Sequence, residues 1–124
     1  MSESKMNNLA VRGFDVVAYF SYEAKFGDPA ISTEHDGATY YFSSEENQAA
    51  FNANPSKYVP AYGGMCAFAM SEGKHFDIDP RSFKIVEGKL HLFYNGVGGD
   101  TKSMWEQNEA ERLGKASQNW QSGV

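Results

Sequence analysis

The chain has 124 residues, and its 11 lysines and arginines against 16 aspartates and glutamates give a net charge of -5. This length has room for one modest hydrophobic core, so we expect a single domain and no repeat architecture. The acidic balance, with no basic run, argues against nucleic acid as a partner. No segment reaches the ~20 apolar residues of a membrane span, so none is expected.

Residues 1–10 form a polar leader that lacks the apolar segment of a secretory signal. We therefore expect a cytoplasmic protein as the chain is written, and a periplasmic or exported location stays open for a processed chain. Cys66 is the only cysteine, which excludes an internal disulfide and a multi-cysteine zinc site. The hydrophobic core must hold the fold without such cross-links.

The first half of the chain predicts a strand followed by a hairpin. Residues 16–20 are β-branched and aromatic, which favours a buried strand. Residues 31–35 and 38–42 flank Asp36 and Gly37, a pair typical of a type I′ hairpin turn. The turn chemistry thus predicts an antiparallel pair here.

Two short helices are predicted next. Ser43 and Glu46 have the spacing of a capping box, which indicates a helix that begins there and ends before Pro55. Residues 65–70 are apolar and follow two glycines, which predicts a short buried helix that ends near Gly73.

The second half predicts another hairpin and one long helix. Asp79 and Pro80 resemble a helix N-cap and first turn, so we expect one helical turn over residues 81–83. Residues 83–86 and 89–94 should form the hairpin. Apolar residues at roughly helical spacing predict a single C-terminal helix that includes Met104 to Trp120.

These elements together predict the α+β class. The expected architecture is a small single domain over residues 11–122, with two antiparallel β-hairpins, short helices and a C-terminal helix.

Most of the chain resembles the YHS-domain family. Stretches of the N-terminal half resemble the stand-alone domain, and later stretches resemble the extension of the longer bacterial members. The stretches are 13–20, 37–51 and 54–58, then 63–69, 84–92 and 105–120. The resemblance implies metal handling in some relatives, where cysteines occupy the positions of Ala18, Ser43 and Asn47, so that metal site is missing here.

Cys66 is the sharpest candidate for chemistry. We expect it in the first turn of the helix over 65–70, where free amides and the helix dipole favour a thiolate. With His75 and His91 it could bind a soft or borderline metal ion, copper or zinc. The alternative is that Cys66 is a small apolar residue packed in the core, and that the histidines are ordinary side chains.

A ligand pocket is predicted from a second set of residues. Asp15 follows a predicted turn and could face a pocket lined by Tyr19, Tyr40 and Tyr62, and Cys66 completes the predicted ligand-binding set. The alternative is that Asp15 accepts backbone hydrogen bonds as a cap and that the tyrosines pack in the core.

Three functions follow from these residues. The leading hypothesis is a non-catalytic binding module of the YHS type, with a metal ion or small ligand near Cys66. The second is a thiol-dependent enzyme or redox protein that uses Cys66 as nucleophile and a histidine as proton acceptor. The third is a structural or interaction domain without a ligand. No nucleophile elbow or phosphate-binding loop is present, and the oligomeric state stays open.

Overall fold

A computed structural model describes residues 9–97 and 99–123, and the chain falls into two compact units, Met1–Val59 and Pro60–Val124. Helices and antiparallel strand pairs occur in both units, which confirms the predicted α+β class. The prediction that residues 11–122 form one domain stays a prediction, and each unit is described by itself. Within the described residues, no helix combines the length and apolar character that a membrane crossing requires.

The first unit contains a hairpin and the helices that follow it. Its elements are the 3₁₀ segments Ala10–Gly13 and Ala18–Ser21, strands β1 (Asp28–His35) and β2 (Ala38–Phe42), and helices α1 (Glu45–Ala53) and α2 (Pro55–Tyr58). The predicted hairpin is confirmed, and its turn residues Asp36 and Gly37 have φ values of 50° and 81°. Two positive φ values in sequence are what a type I′ turn requires.

A buried phenylalanine fixes α1 on the hairpin. The ring of Phe51 is fully buried, with its centroid 4.8 Å from that of Tyr40 and 5.2 Å from that of Phe42. Aromatic side chains bury large apolar areas, so this cluster forms the centre of the first unit's core.

The predicted strand over residues 16–20 is wrong. The chain forms the 3₁₀ helix Ala18–Ser21 there, because the Asp15 carboxylate accepts hydrogen bonds from the backbone N–H groups of Val17 and Ala18. These local bonds curl the backbone and leave no extended segment to pair with a neighbour.

The cap of α1 lies one residue later than predicted. The hydroxyl of Ser44 accepts a hydrogen bond from the N–H of Asn47 at 3.1 Å, so Ser44 and not Ser43 is the N-cap. Ser43 instead bonds to Asp15, a partner far away in sequence. The helix ends at Ala53, before Pro55, as predicted.

The second unit also contains a hairpin with helices around it. Its elements are the 3₁₀ segment Ala61–Gly64, helix α3 (Ala67–Ser71), strands β3 (Asp79–Val86), β4 (Lys89–Phe93), β5 (Asn95–Gly96) and β6 (Gly99–Asp100), and helices α4 (Thr101–Glu106) and α5 (Glu109–Gln121). The second hairpin and the short buried helix after the glycines are confirmed. Trp105 is fully buried at the centre of this unit.

The predicted helical turn over residues 81–83 is wrong, since these residues belong to β3. The Asp79 carboxylate does accept a local hydrogen bond, from the N–H of Arg81 at 3.0 Å. That bond forms a bend where the strand register shifts between Asp79 and Phe83, instead of starting a helix.

The C-terminal segment contains two helices and not one. Helix α4 ends at Glu106 and α5 begins at Glu109, with Asn108 between them at φ -152° and ψ 47°, outside the helical region. The two tryptophans also differ, because Trp105 is buried while Trp120 is 44% exposed.

Candidate functional site

The Asp15 carboxylate is buried and accepts hydrogen bonds from five donor groups. Its Oδ1 accepts from the N–H groups of Val17 and Ala18 at 2.8 and 3.3 Å. Its Oδ2 accepts from the N–H and hydroxyl of Ser43, both at 2.7 Å, and from the Asn47 amide at 2.8 Å. A carboxylate offers about four lone-pair sites, so this one is saturated and acts as a structural cap.

These donors include every position for which the family resemblance implies a metal-ligand cysteine. Ala18 donates its N–H, Ser43 donates its N–H and hydroxyl, and Asn47 donates its side-chain amide. The three positions do converge in the fold, but they converge on a carboxylate. The Asp15 carboxylate and its hydrogen-bond donors therefore occupy the position where cysteine ligands would hold a metal ion.

Cys66 is also buried and engaged. It is the N-cap of α3, and its Sγ accepts from the N–H groups of Ala69 at 3.4 Å and Tyr94 at 3.2 Å. Its Sγ also lies 3.5 Å from Oγ1 of Thr101, which donates its only proton to the carbonyl of Tyr94. The thiol proton therefore points to Thr101, and any metal ion or electrophile must displace these contacts.

The two candidate histidines differ in exposure. His75 is exposed in the segment after α3, whereas His91 on β4 is 3% exposed. Nδ1 of His91 donates to the carbonyl of Lys89 at 3.0 Å, so Nε2 is a bare acceptor, without a hydrogen-bond partner among the described residues. Burial lowers the pKa of His91.

A metal site is not assembled by these side chains in the described part of the chain. Among the described residues, no group of three or more histidine, cysteine, aspartate or glutamate side chains is placed so that it could hold a metal ion. The predicted copper or zinc site of Cys66, His75 and His91 stays a prediction. One bare imidazole nitrogen is the only feature of that set that resembles a ligand.

The tyrosines of the predicted ligand pocket lie in different units. Tyr19 and Tyr40 are buried in the first unit with Asp15, and Tyr62 is buried in the second. Burial raises the pKa of Tyr40 and of Tyr62. The Tyr62 ring lies 5.4 Å from that of His91, edge to face. The pocket stays a prediction, and the observed contacts are those of core packing.

A groove that the sequence did not reveal lies between α3 and α5. It is open to solvent and has a volume of about 460 Å³. Its lining is polar: Arg112 and Lys115 are cationic, Glu72 and Glu111 are anionic, and Asn108, Gln118 and Asn119 supply amides. The polar face of α5 is readable from the sequence, but its partner α3 lies about 40 residues earlier.

Arg112 is held firmly in this groove. Its guanidinium carbon lies 4.2 Å from the ring centroid of Phe68, and its Nη1 donates to Oγ of Ser71 at 2.9 Å. The Ser71 hydroxyl donates to the carbonyl of Phe68 at 2.6 Å, so it accepts from Arg112. Nη1 also lies 3.4 Å from the Glu72 carboxylate. The guanidinium is therefore preorganised by stacking and hydrogen bonding.

The fold and the two buried caps define a small α+β module with no open reactive group at Asp15 or Cys66. Residues 30–62 match the family model of the YHS domain, so the resemblance is confirmed over this segment. The matched segment covers most of β1, all of β2, α1 and α2, and the start of the second unit. Comparison with curated proteins and with solved structures gave no match.

Proposed function

We propose that this chain is a non-catalytic binding module of the YHS type that holds a small polar ligand in the groove between α3 and α5. The observation that carries the proposal is the fixed guanidinium of Arg112, which Phe68 and Ser71 hold in place before any ligand arrives. A preorganised group loses little freedom on binding, so its hydrogen bonds add to affinity. The groove volume of about 460 Å³ suits a small molecule.

The charges of the groove favour a zwitterion such as a free amino acid. A guanidinium binds a carboxylate with paired hydrogen bonds, which suits Arg112 to the acidic end of the ligand. The carboxylates of Glu72 and Glu111 lie in the same groove, where Glu72 pairs with Arg112 and Glu111 with Lys115, so a ligand ammonium would replace one of these pairs. Lys115 lies 3.3 Å from Glu111 and lowers the pKa of that carboxyl, which supports its anionic form at neutral pH.

The buried state of Cys66 supports the non-catalytic part of the proposal. A nucleophilic thiol must be deprotonated and reachable. Here Sγ is fully buried and accepts two backbone N–H groups. The thiol-dependent alternative would require α3 to move away from Tyr94.

A copper or zinc ion at Cys66 with His75 and His91 is the second candidate, and the bare Nε2 of His91 is the observation that favours it. Titration with Cu(I) and Zn(II) against a chelator, in the wild type and in Cys66→Ser, tests it. Tight binding that Cys66→Ser abolishes would establish the metal module. Absence of metal binding by the wild type would remove this candidate.

The cellular compartment of the protein stays a prediction from the sequence.

The groove is tested by following backbone amide shifts while glycine, acetate or methylamine is added. We expect saturable shifts in α3 and α5 with glycine, weaker ones with acetate, and none in Arg112→Gln. Arg81→Gln is the matched control, because Arg81 is an exposed arginine of the same unit outside the groove. Absence of saturation up to millimolar glycine, or equal binding by Arg112→Gln, would contradict the proposal.

A further inference from the structure

The two hairpins follow the same plan at a constant spacing. Strand β1 begins at Asp28 and β3 at Asp79, 51 residues later, and each has 8 residues. Each partner strand has 5 residues and ends at a phenylalanine that pairs with the starting aspartate, Phe42 in the first unit and Phe93 in the second. The register of each pair shifts at the same place, between the first and fifth residues of the longer strand.

Unusual backbone conformations recur at the same spacing. In the first unit Val11 and Arg12 have φ values of 49° and 53°, and in the second Tyr62 and Gly63 have values of 59° and 63°. Non-glycine residues rarely adopt positive φ, so Val11, Arg12 and Tyr62 are uncommon, whereas Gly63 adopts this conformation readily. Their recurrence 51 residues later indicates a shared local structure and not a chance similarity.

Asp15 and Cys66 occupy the same place in this plan, 51 residues apart. Each side chain accepts an N–H from the residue three positions later and another from the residue 28 positions later. The donors are Ala18 and Ser43 for Asp15, and Ala69 and Tyr94 for Cys66. The two main-chain N–H groups also correspond, since Asp15 donates to the carbonyl of Lys25 and Cys66 to that of Phe76.

The helix after each hairpin repeats the same contacts. One side chain of this helix contacts the buried cap residue: Asn47, the third residue of α1, contacts Asp15, and Thr101, the first residue of α4, contacts Cys66. One turn later a fully buried aromatic residue packs on the hairpin. The ring centroid of Phe51 lies 4.8 Å from that of Tyr40 and 5.2 Å from that of Phe42. The ring centroid of Trp105 lies 5.7 Å from that of His91 and 5.5 Å from that of Phe93. The short β5–β6 ladder precedes α4 and accounts for the wider spacing in this part.

We infer that the second unit is a diverged copy of the first, and that Cys66 is the positioning residue of that copy, the counterpart of Asp15. Its Sγ accepts hydrogen bonds from the N–H of Ala69 in α3 and the N–H of Tyr94 after β4, and so it links these two segments of the second unit. The YHS model matches residues 30–62, which include Ser43, Asn47 and Phe51 of the first copy. This inference replaces our expectation that the chain is too short for a repeat.

Amide hydrogen exchange of the full chain, read by NMR, tests this assignment. In Cys66→Ala the amides of Ala69 and Tyr94 should exchange at least about tenfold faster relative to the amide of His91, which pairs with Lys84 in the β3–β4 ladder, because each loses its acceptor. The equivalent amides of Ala18 and Ser43 should keep their wild-type rates. In Asp15→Asn, where an NH2 group replaces one of the two acceptor oxygens, at least one of the Ala18 and Ser43 amides should exchange faster, and the Ala69 and Tyr94 amides should keep their wild-type rates.

Cys66→Ser keeps an acceptor at the same place, so it should fold and show smaller changes at the same two amides. This variant keeps the test decisive if Cys66→Ala does not fold. Two results would overturn the inference. One is acceleration of the Ala69 and Tyr94 amides no greater than that of the His91 amide in the substituted chain. The other is an equal acceleration of the Ala18 and Ser43 amides.

Discussion

The caps of the two units differ in charge while they serve the same backbone positions. Asp15 accepts five hydrogen bonds at 2.7 to 3.3 Å, whereas Cys66 accepts two at 3.2 and 3.4 Å and contacts Thr101 at 3.5 Å. Charged acceptors form shorter and stronger hydrogen bonds than neutral ones. A carboxylate and a thiol thus fill the same role, so this fold requires a hydrogen-bond acceptor at the cap position and not one particular chemical group.

Asp15→Ala should have the largest effect on stability. It leaves several buried donors without an acceptor, and hydrogen bonds to a charged group contribute about 1.5–3 kcal/mol each. We expect a loss of at least about 3 kcal/mol in the free energy of unfolding, measured by urea denaturation. Asp36→Asn is the control, because Asp36 lies in an exposed turn that asparagine also favours. A loss below about 1 kcal/mol for Asp15→Ala would break the comparison.

Cys66→Ala should cost less, about 1–2 kcal/mol, because a neutral thiol gives weaker hydrogen bonds than a carboxylate. Urea denaturation measures this loss, and Cys66→Ser should recover part of it. The measurement compares the loss in free energy of unfolding caused by Cys66→Ala with that caused by Asp15→Ala. If Cys66→Ala destabilised the chain more than Asp15→Ala, charge would not explain the difference between the units.

His91 should make the second unit sensitive to mild acid. Burial lowers the pKa of His91 in the folded chain, so the unfolded chain takes up its proton first as the pH falls below about 6.5. The contribution of His91 to the free energy of unfolding is therefore complete above that pH. As the pH falls from there toward the pKa of His91 in the folded chain, this contribution decreases by at most about 1.4 kcal/mol per pH unit. The groups that act on this imidazole are Lys89, Glu87 and Glu109.

His91→Leu should remove this part of the pH dependence, measured by urea denaturation at pH 7 and at pH 5. His75→Gln should leave it unchanged, because His75 is exposed. An identical pH dependence in His91→Leu and the wild type would show that other groups cause it.

Lys84→Met should have the smallest effect. The ammonium of Lys84 lies 2.6 Å from Glu109 and 3.2 Å from Glu106, and Glu109 raises the pKa of Lys84. About a third of the Lys84 side chain is exposed, so solvent screens the pair and we expect a loss of about 0.5 kcal/mol. Thermal denaturation at low and high salt measures it. A loss as large as that of Cys66→Ala would contradict this account.

Both hairpins could be predicted from the sequence, because their turns depend on adjacent residues. Asp36 with Gly37, and Glu87 with Gly88, adopt the positive φ values that a tight turn needs. The strand over residues 16–20 was mispredicted because Asp15 curls that segment, and its acceptor role also involves Ser43, 28 residues later. Contacts at that distance leave no local pattern.

The repeat left only a weak trace in the sequence. The shared residues at the spacing of 51 include Gly13 and Gly64, and Phe42 and Phe93. Asp28-Pro29 and Asp79-Pro80 also correspond, which would have assigned the second pair to a strand instead of a helical turn. Most buried positions of the first unit are buried again at the spacing of 51, but most of them carry a different side chain.

The groove could not be predicted, because it needs the packing of α5 on α3. Arg112 looks like an ordinary exposed residue of a helix until Phe68 and Ser71 are placed beside it.

We expect Cys66 to accept the N–H groups of Ala69 and Tyr94 and to be unreactive as a thiol in the folded chain, and native-state alkylation measures this reactivity. The rate of modification of Cys66 by iodoacetamide should be followed at increasing urea below the unfolding transition. We predict strong protection in water and a rate that rises with urea as the unit opens, because Sγ is fully buried. Modification in water as fast as that of a free cysteine in an unfolded peptide would contradict the account.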